Sequence, residues 1–111
     1  MEIDISLPNT IYRGNSIDIG CHLDIDLSQC IIKAEIFDRF YSSLHLSSDV
    51  ATEIEIIDEE DGTFVIHVQK DSTHLFHLIS YIEITLIDGD DKEFTVYFAP
   101  LKFFDNIYLR A

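Results

Sequence analysis

Hydrophobic and polar residues alternate along most of the chain. Ile17, Ile19, Cys21, Leu23 and Ile25 alternate with Asp18, Gly20, His22, Asp24 and Asp26. A period of two is what a strand with one face on a core and one in water requires, because successive side chains leave opposite faces. The same pattern predicts a short first strand at Ile3 and Ile5, set against Glu2, Asp4 and Ser6 and ended by Pro8 and Asn9. Ile54 and Ile56 alternate with Glu53 and Glu55, and Phe64, Ile66 and Val68 alternate with Thr63, Val65 and His67. The acidic, Gly-containing residues 58–62 between those two runs predict a hairpin. A further strand spans residues 81–87, with Ile82, Ile84 and Leu86 on one face. Asp88-Gly89-Asp90-Asp91 then supplies residues that tolerate the positive φ of a tight turn. Phe94, Val96 and Phe98 mark the returning strand, placing Tyr97 on its nominal outer face together with Ile87, and Pro100 stops or bends it.

Other stretches are less regular. Residues 30–37 are β-rich, with Ile31, Ile32 and Ile36, but their alternation does not fix which face points inward. The Ser-rich SSLHLSSD reads as a loop with a short edge strand at Leu44 to Leu46. Residues 70–78 predict a short helical connection, capped by Asp71 or Ser72 and presenting Leu75, Phe76 and Leu78 as apolar contacts. About seven strands at spacings of roughly ten residues predict an all-β antiparallel sandwich. No repeat and no boundary interrupt residues 1–111, so the expectation is one domain.

Composition narrows the function classes. Apolar residues make up 47% of 111 residues, enough for a core at this length. With 21 acidic and 7 basic residues the formal net charge is −14, a field that repels phosphate backbones and anionic lipid. Nucleic acid and membrane are therefore not expected partners. The N-terminus shows neither the basic nor the apolar region of a signal peptide, and no apolar run is long enough to span a bilayer. Cys21 and Cys30 are too few for a disulfide scaffold and match no zinc spacing; Cys21 reads as a buried thiol.

Three segments in order carry a family resemblance: IYRGNSIDIGCHLDID near the N-terminus, TEIEIIDEEDGTFVIHV in the middle, and KDSTHLFHL followed by SYIEITLIDGDDKEFTVYFA. Together they resemble the Ig-like β-sandwich domain of phage virion proteins, similar to the N-terminal domain of siphophage baseplate upper proteins. The resemblance runs from Ile11 to about Phe104. It implies that Arg13 and Gly14 open the first long strand. Asp61, Gly62 and Phe64 would lead the central hairpin, Tyr81 would follow a short helical segment, and Asp88 and Gly89 would turn the last hairpin. Chains of that family usually continue beyond this domain, whereas this sequence ends at Ala111. A tail, baseplate, connector or decoration component is the expectation the resemblance leaves.

Residues with chemical potential are few. His74 and His77 lie three apart, a spacing that would share a helical face, but no further metal ligands are marked. The acidic runs 58–61 and 88–91 lack the twelve-residue calcium loop with its closing Glu. No Gly-Xaa-Ser-Xaa-Gly elbow or Gly-rich phosphate loop occurs, and Cys21 at a buried alternating position makes a poor nucleophile. The expectation is therefore no catalysis, no metal and no cofactor. His22, His45 and His67 fall at solvent-facing strand or loop positions.

The C-terminal segment LKFFDNIYLR offers the contact candidates Phe103, Phe104, Ile107 and Tyr108, to which Tyr97 is added. Adjacent Phe103 and Phe104 must point to opposite faces of an extended segment, so one packs inward and the other outward. Two roles are open to this segment: a protein contact, for which exposed aromatics are suited, or the completion of an open sheet edge. The resulting expectation is a structural phage virion protein that binds itself or neighbouring virion proteins as a homo-oligomer, located in the assembled particle. The alternatives are an acidic inhibitor or nucleic-acid mimic aimed at a host protein, and a host-glycan-binding module, for which the absence of Trp is unfavourable.

Overall fold

The computed structural model describes residues 3–7, 11–39, 42–73, 76 and 79–104. Nine strands form among the described residues: β1 (Ile3–Ser6), β2 (Ile11–Tyr12), β3 (Ile17–Leu23), β4 (Ile31–Asp38), β5 (Ser43–Ser47), β6 (Ile54–Asp58), β7 (Thr63–Val68), β8 (Ile79–Ile87) and β9 (Glu93–Phe104). A single helical turn, α1 (Lys70–Thr73), links β7 to β8. The strands assemble into two sheets, one ordered β1-β3-β7-β6 and the other β2-β9-β8-β4-β5. All pairings are antiparallel except the short parallel contact of β2 with β9. The all-β sandwich expected from the alternation is the observed architecture.

The alternation builds the core directly. From the four-stranded sheet come Ile19, Cys21, Leu23, Ile54, Phe64, Ile66 and Val68; from the five-stranded sheet come Ile32, Ala34, Ile36, Leu46, Ile82, Ile84 and Leu86. All are buried. Each contributes roughly 1.5–3 kcal/mol by leaving water if its side chain is large. Leu44 and Leu46 lie in β5, the edge strand foreseen within the Ser-rich stretch.

The connection after β7 is anchored at two points. The Thr73 hydroxyl accepts a hydrogen bond from the Gly14 amide at 2.8 Å and lies 3.0 Å from the Asn15 carbonyl, tying α1 to the turn before β3. Phe76 is fully buried and stacks on Phe103 with ring centroids 5.3 Å apart. The predicted apolar role of Phe76 is thus observed. Leu75 and Leu78 lie outside the described residues.

Three expectations change. Pro100 does not stop the returning strand, which continues through it to Phe104. Proline is tolerated there because β2 meets β9 only at Phe103 and Phe104, so that at Pro100 the strand is paired on the β8 side alone among the described residues. The last hairpin turns within Asp88-Gly89-Asp90-Asp91 as expected, and its left-handed residue is Asp91, at φ 64°. The Asp88 carboxylate accepts hydrogen bonds from the amides of Asp90 and Lys92 and holds that turn.

The largest change is in β9. Ile84 pairs with Tyr97 but Thr85 pairs with Thr95, so Val96 is an extra residue opposite this step. A β-bulge reverses the inside–outside parity of the strand. Tyr97 therefore turns inward and packs half-buried against the core, correcting its expected outer position. Phe98 turns outward instead. Ile87, also expected outside, is buried.

The central hairpin turns on Gly62, at φ 81°. Its amide donates to the Asp58 carbonyl at 2.9 Å and its carbonyl accepts from the Leu23 amide at 2.9 Å. A Cβ here would overlap the Leu23 carbonyl oxygen and stand 2.7 Å from that of Ile25. Left-handed backbone alone costs a non-glycine residue about 1–2 kcal/mol. Gly62→Ala should lower unfolding free energy by more than ~2 kcal/mol in urea titration. Gly20→Ala, where a Cβ meets nothing within 4 Å, should change it by less than ~1 kcal/mol. Similar losses at the two sites would contradict this account of the turn.

Candidate interaction surface

The outward face of the five-stranded sheet follows from the pairing of its strands. β8 alternates Tyr81, Glu83 and Thr85 outward against Ile82, Ile84 and Leu86 inward. β4 places Phe37, Glu35 and Lys33 directly opposite those three outward residues. The bulge brings Phe98 to the position across from Glu83. Three rings consequently meet on the outside. Phe37 and Tyr81 stack at 5.7 Å, Tyr81 and Phe98 at 5.7 Å with planes 16° apart, and Phe37 and Phe98 lie 6.2 Å apart. Phe98 remains 55% exposed, the highest value of any large ring among the described residues.

Apolar surface continues from this cluster. Ile79, Tyr12 and Phe104 are exposed. Ile79 lies on the same side of β8 as Tyr81, two residues away, and Tyr12 pairs with Phe104 at the sheet's edge. Exposed apolar side chains gathered on one face, here with Lys102 between Phe98 and Phe104, mark a candidate contact site. Next to it lies a groove of about 350 Å³ lined by Lys33, Glu35, His45, Glu83 and Glu93.

The candidates read from the C-terminal segment divide. Phe104 is exposed and pairs with Tyr12. Phe103 is 1% exposed and belongs to the core, so its place in the contact set is withdrawn. Ile107 and Tyr108 lie outside the described residues. The alternation around Ile82 already puts Tyr81 on the outer side, whereas Phe37 sits in a stretch whose alternation does not fix its inward face. Phe98 could not be placed from sequence, because a one-residue bulge leaves no compositional mark.

The outer face of the four-stranded sheet is chemically different. Its histidines are clamped by carboxylates. His67 Nδ1 lies 2.7 Å from Asp18 and its Nε2 lies 3.2 Å from Glu55. His22 stands 3.8 Å from Asp4 and 3.7 Å from Asp61. Doubly protonated imidazole donates from both nitrogens, so in that form His67 bridges Asp18 of β3 and Glu55 of β6 across β7. Hydrogen bonding to Asp18, then to Glu55, raises its pKa above the ordinary 6.5.

Burial pushes the Cys21 thiol up to about 12. Cys21 and Cys30 are both free. Among the described residues no group of His, Cys, Asp and Glu could hold a metal ion, and no helix is long and apolar enough to cross a membrane. His74 and His77 fall outside those residues. No protein-family model matches the chain, and a search of curated proteins finds no match to it.

The His67 bridge has a pH signature. Its folded-state pKa lies above its unfolded value, so the stabilisation is complete below about pH 6.5 and is lost as pH rises through the folded pKa. Urea denaturation should show unfolding free energy falling above about pH 6.5, with a shallower slope in His67→Gln. Equal slopes in the two proteins would contradict the bridge.

Proposed function

We propose that this chain is a non-catalytic assembly domain, a structural component of a phage particle that binds other protein through the outer face of its five-stranded sheet. The observation that carries the reading is the exposed ring cluster of Phe37, Tyr81 and Phe98, extended towards Ile79, Tyr12 and Phe104. Aromatic side chains are enriched at the centres of protein interfaces because each buries a large area on leaving water. The assignment to a virion rests on the resemblance of the three segments to phage Ig-like domains. The partners are further copies of the chain or neighbouring virion proteins. The mechanism is shape and apolar complementarity, and the −14 charge keeps the free subunit soluble before assembly.

The reading as an acidic mimic of nucleic acid draws less support. It needs free carboxylates at phosphate-like spacing. On the four-stranded sheet, Asp18 and Glu55 are engaged by His67, and Asp4 and Asp61 flank His22.

Mass spectrometry of purified particles tests the role directly. The chain should be present. Phe98→Ser and Phe104→Ser should each lower its incorporation at least about tenfold with melting temperature nearly unchanged, since these rings lie outside the core. Phe103→Ser should instead cost about 3–5 kcal/mol of stability. Absence from particles, or undiminished incorporation of both surface variants, would overturn the reading.

A further inference from the structure

The ring cluster is bordered by an electrostatic conflict. Glu35 and Glu83 are direct partners across β4 and β8. Like charges placed opposite each other destabilise a sheet. Glu35 is relieved in part by His45, at 3.1 Å on the neighbouring strand. Glu83 has no such relief: across from it on β9 stands Phe98, and it makes no ion pair among the described residues. Both are only partly exposed. Lys33 lies one outward position further along β4, opposite Thr85, and forms no ion pair with Glu35 or Glu83 within 4.0 Å. The groove thus holds the carboxylate pair together with Lys33 and His45, neither of which reaches Glu83, and the stacked rings border Glu83 from outside the groove through Phe98, its partner on β9.

That combination specifies a ligand. A guanidinium is planar, stacks on aromatic faces and donates a fork of N–H groups to carboxylates. An ammonium satisfies the charge but not the stacking. We propose, building on the assembly reading, that this face receives an arginine side chain from an extended basic segment of a partner protein. The guanidinium would lie against Phe98 and Tyr81 and donate to Glu83 and Glu35. The −14 field of the whole chain steers a basic segment inward. A second copy is the poorer occupant, because it carries the same −14 and its outward strand cations on this sheet are lysines, Lys33 and Lys102.

The test is isothermal titration calorimetry of the full chain with three short peptides identical except for arginine, lysine or citrulline at the cationic positions. The arginine peptide should bind at least about tenfold tighter than the lysine peptide, and the citrulline peptide should not bind measurably. Glu83→Gln should weaken arginine-peptide binding at least about tenfold and raise the melting temperature, because it removes the opposed charges. A variant merely damaged in folding would do the opposite. Asp24→Asn, which removes one charge at an exposed position elsewhere, should leave binding nearly unchanged. Equal affinity for the arginine and lysine peptides, or unchanged binding by Glu83→Gln, would overturn the inference. Sedimentation showing self-association through this face that the arginine peptide fails to displace would also overturn it. If the peptide does not bind while Phe98→Ser still impairs incorporation into particles, the arginine inference fails and the assembly reading stands. If Phe98→Ser and Phe104→Ser also leave incorporation intact, both fail.

Discussion

The pairing of β9 with β8 is the constraint on which the outer surface depends. β8 is the middle of the five-stranded sheet and fixes its neighbours through an uninterrupted register with β4 from Ile31↔Ile87 to Asp38↔Ser80. β9 must satisfy the same strand while carrying one extra residue, Val96. The insertion reverses its parity between two segments. Beyond the bulge, Tyr97, Ala99, Leu101 and Phe103 turn towards the core, and Phe98 and Phe104 are forced into water. The cost of exposing those rings is inherent in that register. The same register turns Phe103 inward, where it stacks on the buried Phe76.

Much of this was legible in the chain. Strict alternation in β3, β6, β7 and β8 fixed both the strands and their inner faces, because burial of one face imposes a period that few other structures share. The central hairpin was readable from its Asp-Gly turn, whose glycine takes a left-handed conformation and leaves no room for a Cβ. What escaped the sequence was of two kinds. Parity after Val96 depends on one unpaired residue, and residues 94–98 alternate equally well in either register. The Thr73 anchor depends on contact with Gly14 and Asn15, far away in sequence, and no local signal marks it. The candidate contact surface suffered most, since it was drawn partly from β9: Tyr97 and Phe103 proved to face inward, while Phe104 stayed outside and Phe98 joined it.

The two outer faces have opposite characters, and each follows from where the sheet puts its charges. On the four-stranded sheet, His22 and His67 stand between carboxylates contributed by neighbouring strands and the central turn, so its acidity is partly answered from within. On the five-stranded sheet, Glu83 is left without such an answer beside three stacked rings. Exposed rings and an opposed carboxylate pair occur together on this face, while Phe94, Ile57 and Val50 are exposed elsewhere; sites of function are where such departures from local consistency concentrate.

The most direct measurement is the amide chemical-shift map of the isotopically labelled chain when its assembly partner is added. The account predicts perturbations centred on Phe37, Tyr81, Glu83 and Phe98, with the amides of Asp18, His22 and His67 on the opposite sheet left in place. Perturbations centred on the histidine-bearing sheet, with the ring cluster unaffected, would contradict it.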